Sequence, residues 1–110
     1  ACASLEEALR LNPSHAEALN NFAWLLATAP GDEILDPPKA VELARKAVRL
    51  RPDETNFQGT LAVALAAAGF EEEADAVLLE AQRLGRINGN ANPQLRDFVR
   101  QARDRAAKNR

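Results

Sequence analysis

One pattern of small and apolar residues occurs three times along the chain, and the intervals between its copies limit what the chain can build. The first copy is Ala1, Ala8, Leu11 and Pro13. Adding 39 lands on Ala40, Ala47, Leu50 and Pro52, and adding 34 more lands on Ala74, Ala81 and Leu84. The segments ahead of the later copies match too, since Phe22, Ala23 and Leu26 map by 39 onto Leu61, Ala62 and Leu65. The longer first interval places a five-residue insertion within Ala29–Asp36, which reads APGDEILD. A period of about 34 residues with small residues at fixed places marks stacked helical hairpins. Such units bury their core only against neighbours, so the array presents a surface suited to binding.

Composition agrees with helix stacking. Hydrophobic residues are 46% of the 110, yet aromatics are only 5%, so alanine and leucine must supply the core. The length suits one domain. Cys2 stands alone and permits no internal disulfide, which leaves the compartment open. No run approaches the ~20 apolar residues of a membrane span. The net charge of −2 conceals a split: residues 1–85 hold 7 basic and 14 acidic side chains, whereas residues 86–110 hold 7 and 2.

Six helices are expected. The first runs from Ala1 to Leu11 and stops before Pro13. Ser14 caps the second, with Glu17 completing a capping box. Asp36 caps the third and Pro37 opens it, where the missing N–H costs nothing. Asp53 opens a fourth that runs to Ala68 and closes at Gly69. Glu71, Glu72 and Glu73 open a fifth, with acids at the positive end of the helix dipole. Gly85–Asn92 reads as a turn-prone linker, and Asn92 and Pro93 start a sixth helix. That last helix carries a stripe of Leu95, Phe98, Val99, Ala102 and Ala106 among arginines, as a terminal helix covering the last repeat would.

In this register the chain resembles the tetratricopeptide (TPR) repeat family over residues 1–84. The first-helix slots hold Leu19, Phe22-Ala23 and Leu26, then Gln58, Leu61-Ala62 and Leu65. The second-helix slots hold Ala40, Ala44, Ala47 and Pro52, then Ala74, Leu78, Ala81 and, in the proline slot, Arg86. The resemblance implies an all-α, right-handed α-α superhelix of TPR hairpins. Residues 1–13 would be the second helix of a truncated repeat, 14–52 a repeat with the insertion, 53–86 a further repeat, and 87–110 linker and capping helix. Because Ala1 falls at a second helix and the chain has no methionine, the register is that of a fragment of a longer protein.

The same resemblance implies that ligand contacts come from the first helix of each hairpin. Carried over, they are Glu17, Asn20, Asn21, Trp24 and Thr28, then Asn56, Gly59, Thr60, Val63 and Ala67. None is basic, unlike the slots of family members that grip a C-terminal carboxylate. The floor therefore reads as neutral and apolar, suited to a hydrophobic peptide or helix face, with Asn20, Asn21, Asn56 and Thr60 orienting it. Trp24 has two readings: a groove anchor, or a core residue covered by Pro30, Ile34, Leu35 or Pro37 of the insertion.

No catalytic set stands out. The one histidine and one cysteine are 13 residues apart, no clustered metal ligands occur, no phosphate-binding glycine loop occurs, and no motif asks for a cofactor. The expected function is non-catalytic protein–protein interaction. Two alternatives stand beside it: self-association through the unpaired first helix at Leu5 and Leu9, with Ala8 and Leu11, making a homodimer, and service as an accessory segment of a larger enzyme. The basic last helix lacks the interleaved aromatics of a nucleic-acid surface, so a solvated cap face is the stronger reading of it.

Overall fold

A computed structural model describes residues 2–12, 14–29, 34–89 and 93–108, with side chains from residue 6 onward. The readings that involve Pro13, Pro30, Asn92 and the side chain of Leu5 lie outside these. The described residues form six helices and no strand: α1 (Cys2–Leu11), α2 (Ala16–Thr28), α3 (Pro37–Leu50), α4 (Thr55–Ala67), α5 (Glu71–Asn88) and α6 (Leu95–Lys108).

The most extensive pairings are α2 with α3 and α4 with α5, each between consecutive helices, so that each pair is a helical hairpin. Alanines at repeat-equivalent positions let these helices close on one another. Ala23 and Ala62, and Ala40 and Ala74, are wholly buried, as are Ala44 and Ala47. Any larger side chain there would push helices apart in an interior already at crystal-like density. The hairpins then pack on each other through α3, α4 and α2. The α4 sequence TNFQGTLAVALAA carries no charge, and from Thr55 to Ala66 only Asn56 is exposed. A helix apolar on all sides has to be surrounded, and α2, α3, α5 and α6 surround α4. A smaller cluster of Ala16, Leu19, Ala47 and Phe57 closes the other end, with Leu9 of α1 packed against it. The radius of gyration is 13.1 Å, the value of about 13 Å that a globular domain of this length takes.

Several helix ends differ from the sequence reading. His15, not Ser14, caps α2, and its Nδ1 accepts from the Ala18 N–H at 3.2 Å. Ser14 is held one step earlier, because its N–H donates to the Asn12 side-chain oxygen, a local turn that displaces the cap by one residue. Glu17 is exposed and faces Arg51 at 3.7 Å instead of completing a box. At α4 the cap position belongs to Glu54, which makes no side-chain cap bond. Asp53 instead offers its backbone carbonyl to the Asn88 amide at 3.2 Å.

The Gly85–Asn92 linker is the largest boundary correction. Helix α5 runs through Gly85, which is buried, to Asn88, and Gly89 closes it at φ 72°. Arg86 occupies the slot where Pro52 follows α3, so the element that would have stopped α5 is absent. The sixth helix starts at Leu95 rather than Pro93.

Candidate partner-binding groove

Three pairs of repeat-equivalent residues, Asn20 and Gly59, Trp24 and Val63, Thr28 and Ala67, stand one helical turn apart along α2 and α4. Spacing by four keeps each set on one helix face. Between these two rows lies α6, packed chiefly on α4 and touching α5 little. It packs on both helices of the last hairpin, chiefly α4, and its side chains also reach α2 across the face that was expected to be open.

Its seat can be followed residue by residue. Leu95 lies at Gly59, where a Cβ would come within 3.2 Å of the leucine Cδ1. Glycine is what lets the leucine approach so closely. One turn on, Phe98 meets Trp24 edge to face, with ring centroids 5.1 Å apart and planes at 86°. A further turn brings Ala102 to a cleft shared with Ala27 and Thr28. Finally the Arg105 guanidinium donates to the Ala29 carbonyl beyond the end of α2. Rising numbers on α6 thus meet rising numbers on α2, so the helices run in the same direction with matched turns. From its other flank, Arg103 pairs with Asp75 of α5.

The residues expected to touch a partner are placed as follows. Gly59, Thr60 and Val63 are buried, with Val63 at 0% exposure. Trp24, Thr28 and Ala67 are half-buried, and Glu17, Asn21 and Asn56 are exposed. The hydroxyls of Thr28 and Thr60 donate to the carbonyls of Trp24 and Asn56 four residues back, at 2.7 and 3.0 Å, so neither is a free donor. Asn20 is half-buried and its side-chain oxygen is fully buried with no protein partner. It borders a cleft of about 190 Å³ that Asn56, Thr60 and Leu95 also line.

Trp24 is half-buried on the groove face, and of the insertion residues named to cover it Pro30 lies outside the described residues. The described part of the insertion is elsewhere: Ile34 is 44% exposed, and Leu35 and Pro37 border a cleft with Ala68, Gly69 and Ala106. The indole is covered from the far end of the chain. What sequence reasoning missed is that the α6 stripe is spaced to fit the α2 and α4 rows, a match visible only once both are laid against each other. Leu9, named for self-association, is packed on the core in cis, whereas Leu11 is 71% exposed.

The charges near the groove are ordinary surface pairs. The clear pKa effects are on exposed faces of other helices: Arg10 holds the Glu7 carboxyl below the usual glutamate range, and Arg83 does the same to Glu80. Among the described residues no group of three His, Cys, Asp or Glu side chains could hold a metal ion, and no helix is long and apolar enough to cross a membrane. The arrangement defines an all-helical domain with an inter-hairpin groove filled by one of its own helices. Comparison with family models, curated proteins and solved structures finds no match to this chain.

Proposed function

We propose that the chain is a non-catalytic interaction module of the tetratricopeptide type, with α2/α3 and α4/α5 as successive hairpins of a right-handed superhelix. Its inner side, along α2 and α4, binds a segment of a partner protein. One observation carries this reading: repeat-equivalent positions on two helices form a trough that accommodates an amphipathic helix in register over three turns, from Leu95 at Gly59 to Arg105 at Ala29. Helix-in-groove recognition uses this geometry, with anchors at i, i+3 or i+4, and i+7.

Panning a library of random 16-residue peptides on the intact chain tests the proposal. Enriched peptides should be amphipathic, should alter the fluorescence of Trp24, and should lose binding to Asn56→Arg, which adds charge at the exposed mouth of the groove. Enriched peptides that leave Trp24 unchanged and bind Asn56→Arg equally would place any interaction surface elsewhere and sink the proposal.

A further inference from the structure

Helix α6 occupies the groove, but it fills it poorly. It buries only Leu95, Val99 and Ala102 fully, with Phe98 half-buried. Beside Trp24 and Phe98 it leaves a cleft of about 320 Å³, reaching Gln101 and Arg105. It also leaves the Asn20 oxygen buried and unpaired, which an occupant carrying a hydrogen-bond donor would correct. A segment that matches the turns of its seat yet leaves a cleft and an unpaired polar atom in it, while joined to it by the chain, has the properties of an internal competitor. Tethering supplies a high local concentration that offsets weak contacts.

We propose that α6 is a displaceable occupant of the α2/α4 groove, and that the partner which replaces it is a basic amphipathic helix. This rests on the interaction reading above. The partner helix carries large apolar side chains at the Leu95, Phe98 or Val99, and Ala102 positions, and a donor that reaches Asn20. Its basic flank faces Asp75, as Arg103 does, and suits a body that holds 14 acidic against 7 basic residues over positions 1–85. Competition makes the groove self-limiting, because the affinity of an incoming helix is reduced by the fraction of molecules in which α6 has left.

The test uses the full chain and a fluorescein-labelled peptide with the sequence of residues 93–108. In Leu95→Asp/Val99→Asp, α6 should leave its seat, which Trp24 reports by a red shift of its emission. That variant should bind the wild-type peptide at least tenfold more tightly than the unaltered chain does. A peptide carrying the same two aspartates should not bind. Gly59→Leu should also release Trp24, yet should bind no peptide, because the leucine occupies the place of Leu95. Should the double variant unfold, Phe98→Ala, which only truncates the ring on Trp24, gives a smaller gain in the same direction.

Equal affinity for wild-type and released chains would overturn the inference while leaving the interaction reading intact. Absence of binding to a released chain that keeps its helical circular dichroism would overturn the inference too, and the panning experiment would decide the interaction reading separately. A wild-type chain found as a dimer by light scattering, and split by the peptide, would give the groove to α6 of a second copy and overturn the assignment to a partner protein.

Discussion

At the scale of single residues, helix ends were the least legible part of the sequence, and His15 shows why. Ser14 is the better cap by composition, but the neighbouring Asn12 captures its N–H and moves the start of α2 by one residue. Competing local hydrogen bonds of similar strength decide such boundaries. Replacing His15 with Ala should cost about 1 kcal/mol in urea unfolding, and His15→Asn should restore most of it. Gln58, which sits in an apolar slot of the repeat, is explained at the same scale: it is 9% exposed and its amide donates to the Pro52 carbonyl at 3.2 Å. Glu80 gives a pH prediction. Arg83 holds its carboxyl below the usual range, so their pairing stabilises the fold above the unfolded pKa and is lost as pH falls through the lower folded value. Both side chains are exposed and solvent screens them, so the effect on stability is small. By carbon-detected NMR, Glu80 should titrate lower in wild type than in Arg83→Gln.

At the scale of elements, all six helices were legible, because apolar spacing and the repeated alanines fix them without reference to the rest of the chain, but their inward faces were legible only in part, since Leu50 of the repeated pattern is 43% exposed and Val41 is buried. The end of α5 was not, although its signal was present. The sequence shows Arg86 in the proline slot, and the consequence is that α5 continues to Asn88. That extra turn ties the end of α5 to the start of α4 and the connection before it, since the Asn88 amide reaches both the Asp53 carbonyl and the Thr55 hydroxyl at 3.2 and 3.3 Å. Restoring the repeat residue with Arg86→Pro should therefore destabilise the protein. A proline within a helix costs about 3 kcal/mol, and the change also loosens the α3–α4 connection. A midpoint in chemical denaturation equal to that of wild type would show that the last turn of α5 contributes nothing.

Across the whole molecule, the seat of α6 was the illegible feature. The stripe on α6 is apparent in the sequence, but a stripe says only that a face is buried, not which surface buries it. The reach of α6 past α4 to α2 depends on the lack of a side chain at Gly59, on the Trp24 ring and on the position of Ala29, and these are up to 76 residues from their partners. Stability should be graded accordingly. Native-state hydrogen exchange should find the amides of α6 opening well before those of α4, which is surrounded by four helices. Equal protection of the two helices would mean that α6 is as firmly held as the centre of the fold.

The contacts of α6 with α2 also have a consequence in time. Most other interactions in the molecule join elements adjacent in the chain, whose loops close quickly, whereas Phe98 must find Trp24 at a sequence separation of 74. During synthesis the residues of α1 to α5 leave the ribosome first, at ~5–20 residues per second. The two hairpins can assemble while the helix that will cover them is still being made. For that interval of roughly a second or more the Trp24 indole lacks the cover that Phe98 gives it in the folded chain.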